Sequence, residues 1–183
     1  MALTVLTSVT PATLSPPLPE RPLADNGAHN QAWTDFFQNI ANRIAALTNG
    51  VTDGSNAPAG QVGEYLTASA GGVGLSSGSV AAIVSLPLTA GDWQVEGAVT
   101  FTPAATTHPT EIVAGVSQSA TVFGSVMTQL GTVFNVGANF SVGTGGGVRI
   151  SVAAPTTAYL LARSTFSIST MTAGGIIWAR RVR

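Results

Sequence analysis

Asp92-Trp-Gln-Val-Glu-Gly-Ala-Val-Thr-Phe-Thr102 reads as a β-strand. Side chains alternate between the two faces of a strand, so Trp93 falls with Val95 and Asp92 falls with Glu96. The two carboxylates sit at i and i+4, about 13 Å apart in extended chain. That exceeds the separation a glycosidase needs between its acid pair, and solvated face residues are the expectation. Outward from this stretch, similar short runs separated by Gly, Pro, Thr or Asn predict strands at 62–68, 79–88, 111–118, 125–130, 133–140, 147–153 and 157–169, with a ninth at 175–182. In the run at 133–140, Phe134, Val136, Ala138 and Phe140 share one face, and a slip of one residue would expose both rings. The absence of helical patterns between these runs excludes a parallel βαβ fold. Short strands following one another at spacings of about 8–14 residues predict a mainly β chain, an antiparallel β-sandwich that is jelly-roll-like.

Two other segments precede the sandwich. Residues 1–28 carry Pro11, Pro16, Pro17, Pro19 and Pro22, which remove backbone donors and fix φ, so an extended arm is expected. Its apolar beads Leu14, Leu18 and Leu23 suit the groove of another protein. In residues 29–48, Trp33, Phe37, Ile40, Ile44 and Leu47 recur at spacings of 4, 3, 4 and 3, the stripe of an α-helix. Asn30 is the expected N-cap and Asn49-Gly50 the stop, with Asp35 toward the positive end and Arg43 toward the negative one. Two and a half heptads are too short to be stable alone, so the stripe must be covered by the following domain or by sister helices. Ring size at Trp33 and Phe37 favours a three-helix seam. Residues 49–60 are turn chemistry throughout and predict a linker, leaving 61–183 for the sandwich.

Composition narrows the function. Of 183 residues only 8% are charged, 7 Arg with no Lys against 8 Asp and Glu, where about 25% is usual. Nucleic-acid binding through a broad basic face is disfavoured. A surface this poor in charge keeps molecules apart weakly, which points to permanent assembly. The chain has no Cys, so disulfides, thiol catalysis and thiolate metal sites are excluded. Gly, Ser, Thr and Asn interrupt every charge-free stretch before about 20 apolar residues accumulate, and no membrane span is expected. Met1-Ala-Leu3 leads into Thr, Ser and Pro rather than a basic and then an apolar region, so no secretory leader is expected.

Catalytic signals are weak. The histidines, His29 and His108, fall in a helix entry and a loop without an expected carboxylate partner. Glu64 and Glu111 approach only if their strands are neighbours. Gly143-Thr-Gly-Gly-Gly-Val-Arg149 lacks the Gly-Lys-Ser/Thr ending of a phosphate loop and predicts a hairpin connection. Asp53-Gly-Ser-Asn56 lacks the spaced ligands of a calcium loop and predicts a turn. Trp93 and Trp178 suggest a sugar-stacking platform, but their same-face neighbours Val95 and Ile176 favour core packing for both. All acids precede Ile112 while five of the seven Arg follow it, ending in Arg180-Arg181-Val-Arg183. Arg180, Arg181 and Arg183 are therefore candidates for docking onto an acidic partner, or else they charge an exposed edge strand against aggregation.

The helical string at 33–47, Gly50-Val-Thr-Asp-Gly-Ser55, Gly60-Gln-Val-Gly-Glu-Tyr65, Leu88-Thr-Ala-Gly-Asp-Trp-Gln-Val95 and the ending Ser169-Thr-Met-Thr-Ala-Gly-Gly-Ile-Ile-Trp-Ala-Arg-Arg-Val-Arg183 resemble small structural proteins of tailed bacteriophages and prophages. The likeness spans residues 30–183 and includes no catalytic motif. It implies a fibre, spike or decoration component of the virion, trimeric, with an attachment segment, a short helix and a jelly-roll head, and it brings no site residues. The expected protein is a non-enzyme, made in the host cytoplasm and carried on the virion. Its expected partners are its own copies, the capsid or tail protein that receives the arm, and a host-surface glycan; no cofactor, metal, nucleic acid or membrane insertion is expected. A lectin-like receptor-binding module is the alternative, followed by a polysaccharide depolymerase, for which the three acids beyond Tyr65 offer few candidates.

Overall fold

The computed structural model describes residues 31–48, 55–131 and 136–183. The arm residues Leu14, Leu18 and Leu23, together with His29, Asn30, Asn49, Gly50, Asp53 and Phe134, lie outside the described residues. The chain divides into two units, Met1–Thr52 and Asp53–Arg183.

In the first unit, α1 (Gln31–Thr48) forms where the apolar stripe predicts it. Trp33, Phe36 and Phe37 cluster with ring centroids 5.6–5.7 Å apart. Gln31 donates to Asp35 and Gln38 to Asn42, one turn apart on the polar side. Asp35 lies beyond the first turn and Arg43 before the last, and those turns hold no acid and no base respectively. The expected help from the helix dipole is therefore small, because that field fades within one turn of each end.

The second unit is two packed antiparallel sheets. One runs β1 (Tyr65–Leu75), β9 (Met171–Arg181), β3 (Gly91–Pro103), and then β6 (Phe140–Gly143) and β7 (Val148–Val152), which both pair with β3. The other runs β2 (Ala81–Leu88), β8 (Thr156–Ser167), β4 (His108–Ser117), β5 (Met127–Gly131). β6 covers Ala98–Phe101 and β7 covers Gly91–Val95, so the two are one edge strand with a break. Counted that way, the described residues form two four-stranded sheets of eight strands in the order of a jelly roll. Trp93, Val95, Val99, Phe101, Leu160 and Ile177 fill the space between the sheets.

Two sequence expectations change here. The segment at 143–149 is the break in that edge strand and not a hairpin: Thr144 N–H donates to the Gly97 carbonyl, and its hydroxyl accepts from the Gly97 N–H, so bonding to β3 continues across the gap. Of the strand expected at 133–140, residues 133–135 lie outside the described residues, and among those described only Phe140 is in a strand. Gly137 adopts φ +70°, with Ala105 Cα only 3.1 Å from where a Cβ would sit, and the chain turns there with Val136 exposed.

Candidate functional site

The first residues after the linker are fastened to the sandwich by Glu64. Its Oε2 accepts from Arg181 Nε at 2.9 Å and from Gly60 N–H at 2.8 Å. Both side chains of the pair are nearly inaccessible, at 4% and 6%. Arg181 directs its remaining donors to the Ala90 carbonyl and the Thr89 hydroxyl, and its guanidinium carbon lies 4.2 Å from the Trp93 ring centroid. Gly91 makes the room: a Cβ there would lie 1.7 Å from Arg181 Nη1. Alongside, the Asn56 side chain bonds both the N–H and the carbonyl of Tyr65, which pairs the outer edge of β1 as a further strand would.

Asp92 and Arg149 form a two-point ion pair across β3 and β7, at 2.8 and 2.7 Å, with Arg183 at 3.4 Å. The Arg149 hydrogen bonds hold the Asp92 carboxyl below its usual range, against the opposing effect of burial and helped by the charges of Arg149 and Arg183. The same pairing raises Arg149. On the other sheet, Glu111 accepts from Arg163, Gln129 and Thr165. Glu64, just ahead of β1, and Glu111, on β4, thus stand at different sheets, each spent on its own arginine.

The docking candidates separate accordingly. β9 lies between β1 and β3, so the terminal arginines do not charge an edge strand. Arg181 faces inward and is consumed by the fold, and Arg183 joins Asp92. Only Arg180 stands on the open face without an ion pair among the described residues. Once sheet packing turns Ile177 and Ala179 inward, alternation along β9 carries Arg181 inward with them.

Trp93 is fully buried, as expected. Trp178 is not: it is half-buried on the outer face of the first sheet. There it pairs directly with Glu96 on β3 and with Thr67 on β1. One row away Arg180 lies between Tyr65 and Gln94; on the other side Ile176 lies between Ser69 and Ala98. Tyr65 and Ile176 are 44% and 41% exposed. Gln94 and Glu96 lean over the strand break, where a Cβ at Gly147 would meet Gln94 Nε2 at 1.5 Å and Glu96 Oε1 at 2.8 Å. Among the described residues no cluster of three His, Asp or Glu could hold a metal ion, and no helix is long and apolar enough to cross a membrane. His108 opens β4, exposed.

On α1, Trp33 and Ile40 are half-buried, while Phe37 and Ile44 are 47% and 55% exposed. Leu47 lies within the same helix.

No family model matches this chain, and no curated protein does. Among solved structures it is similar to that of the Gx strain of infectious bursal disease virus, with 10% identity and TM-score 0.42 over 73% of this chain and 37% of that one. The T13 viral particle of that virus matches with 12% identity and TM-score 0.41 over 72% and 35%. Its VP2 subviral particle matches with 12% identity and TM-score 0.41 over 73% and 36%. The chain thus spans little more than a third of these longer chains, which come from infectious bursal disease virus and not from a tailed bacteriophage.

Proposed function

We propose that this chain is a non-enzymatic structural protein of a virion, of the fibre, spike or decoration type found in tailed bacteriophages. In this reading it works as a homotrimer: residues 1–28 attach it to capsid or tail, three copies of α1 form the stalk, and the jelly roll projects toward the host surface. The observation that carries the reading is the heptad stripe of α1, which leaves Phe37 and Ile44 about half exposed on an 18-residue helix. A helix of that length needs tertiary or quaternary cover to persist. The resemblance of residues 30–183 to phage structural proteins supplies the virion setting, and the charge poverty suits a subunit permanently among its copies.

The test is the mass of the full chain at micromolar concentration, by native mass spectrometry or light scattering. Three times 18.4 kDa is expected. Ile40→Asp combined with Ile44→Asp should reduce it to one copy with sandwich β-content unchanged, because an unpaired charge in such a seam costs several kcal/mol. A folded monomer in the unmutated protein, or an unchanged mass in the variant, refutes three-fold assembly through α1.

A further inference from the structure

We infer that the outer face of the β1–β9–β3 sheet, centred on Trp178, binds a neutral oligosaccharide. The inference gives a place to the glycan of the proposed attachment role and rests on that role only for the source of the sugar. Trp178 is the large aromatic in the middle of the face, with Glu96 directly opposite on β3 and Thr67 on β1. Cross-strand partners have Cβ atoms about 5 Å apart, so groups beside the ring lie within reach of a ligand stacked on it. Such a ligand would meet a donor in Arg180 and hydroxyls in Tyr65 and Thr67, the latter donating to the Ile177 carbonyl; Glu96 and Gln94, whose side-chain ends lie over Gly147 on the far side of β3, would offer an acceptor and an amide to a sugar long enough to cross β3.

The two unspent charges decide the ligand's chemistry. The other described acids and arginines of the sandwich are ion-paired with one another: Glu64 with Arg181, Asp92 with Arg149 and Arg183, Glu111 with Arg163. Among the described residues Glu96 and Arg180 have no such pair, and they lie diagonal to one another on β3 and β9, Glu96 directly opposite Trp178 and Arg180 one row along from it. A strongly anionic ligand would meet Glu96 and a cationic one Arg180. A sugar presents C–H groups to the ring and hydroxyls that both donate and accept, and so satisfies a carboxylate and a guanidinium at once. A second copy of the chain fits less well. A stable protein interface needs about 800 Å² per partner around an apolar centre, whereas the ground beyond Ile176 falls to Ser69, Ala98, Gly174 and Thr100.

The experiment presents the full-length protein, Trp178→Ala, Trp178→Phe and Glu96→Gln to an array of neutral and acidic oligosaccharides, with titration calorimetry on each sugar retained. At least one neutral oligosaccharide should bind. Trp178→Ala should weaken it about tenfold or more, Glu96→Gln should weaken it less, and Trp178→Phe should retain most of the affinity. Melting temperature should change little, since these side chains lie outside the core. Binding of no neutral sugar, binding of acidic sugars only, or affinity indifferent to both Trp178→Ala and Glu96→Gln overturns the inference. A change of assembly mass on Trp178→Ala with no sugar bound overturns it in favour of a contact between copies. Mass and sugar binding are read on the same samples, so a monomer that binds refutes only the trimer, and a trimer that binds nothing refutes only the sugar site.

Discussion

Glu64→Gln removes one charge from the buried pair where the chain enters the sandwich and leaves the shape of the side chain. Arg181 would keep the Ala90 carbonyl, the Thr89 hydroxyl and the Trp93 face, but its charge would lose its anion where only 4% of the side chain is accessible. Breaking a buried pair from one side costs about 3–5 kcal/mol. The retained contacts place this case near the lower figure, about 3 kcal/mol. With a urea m-value of about 1.5 kcal/mol per M, the unfolding midpoint should fall by about 2 M. Arg181→Met should cost a similar amount by stranding Glu64 with only the Gly60 N–H. The double variant Glu64→Leu with Arg181→Met should be far milder than the sum, because it strands no charge and replaces the pair with apolar bulk. Urea unfolding followed by far-ultraviolet circular dichroism measures all three. A cost below about 1 kcal/mol for Glu64→Gln at unchanged m, or a double variant as unstable as the singles added, would refute the view that this pair holds the two ends of the domain together.

Gly91→Ala should destabilise by about 2–4 kcal/mol, since φ is +149° and the new Cβ would strike the Arg181 guanidinium; part of the loss should disappear in the Arg181→Met background, where only the backbone strain remains, as thermal melts of the single and double variants would show. Asp92 makes a pH prediction: its carboxyl is depressed in the fold, first by the Arg149 hydrogen bonds, so its contribution is fully present above the unfolded value near pH 4 and is lost as pH falls through the folded one. Melting temperature between pH 6 and pH 2 should therefore fall more steeply for the unmutated protein than for Asp92→Asn, and parallel curves would contradict the assignment.

The strand at Asp92–Thr102 was legible because its inner positions, Trp93, Val95, Val99 and Phe101, are apolar while most of the outer ones are polar. β9 gave no such guidance. Gly175-Ile-Ile-Trp-Ala179 is apolar on both faces, and bulk alone points Trp178 inward. The opposite sheet decides otherwise: Leu160 from β8 fills the space above Gly97 and Gly175, where added Cβ atoms would lie 2.8 and 2.6 Å from its methyls. The inner face of β9 must then stay small at that point, and the large ring goes out. Information of that kind lives in contacts between sheets and not in any one strand. The same holds for the strand break at Thr144, which bonds to Gly97 at a distance of 47 residues along the chain, and for Asn56, whose role depends on β1 being an edge.

The segregation of charge along the chain follows from the topology. In this jelly roll the strands of the first half find hydrogen-bonded neighbours in the second half: β1 beside β9, β3 beside β7, β4 beside β8. Acids gathered in the first half and arginines in the second are therefore brought together, Glu64 to Arg181, Asp92 to Arg149 and Glu111 to Arg163. Within a strand or along one hairpin the same charges would repel like neighbours; divided between the halves, they favour the long-range pairings and penalise local mispairing. What the sequence suggests as a terminal docking cluster is thus mostly the closing half of the fold's own ion pairs. Among the described residues of the sandwich the charges left over are Glu96 and Arg180, and they acquire meaning from that accounting: where the other described charges are paired internally, these two lie beside one half-exposed tryptophan.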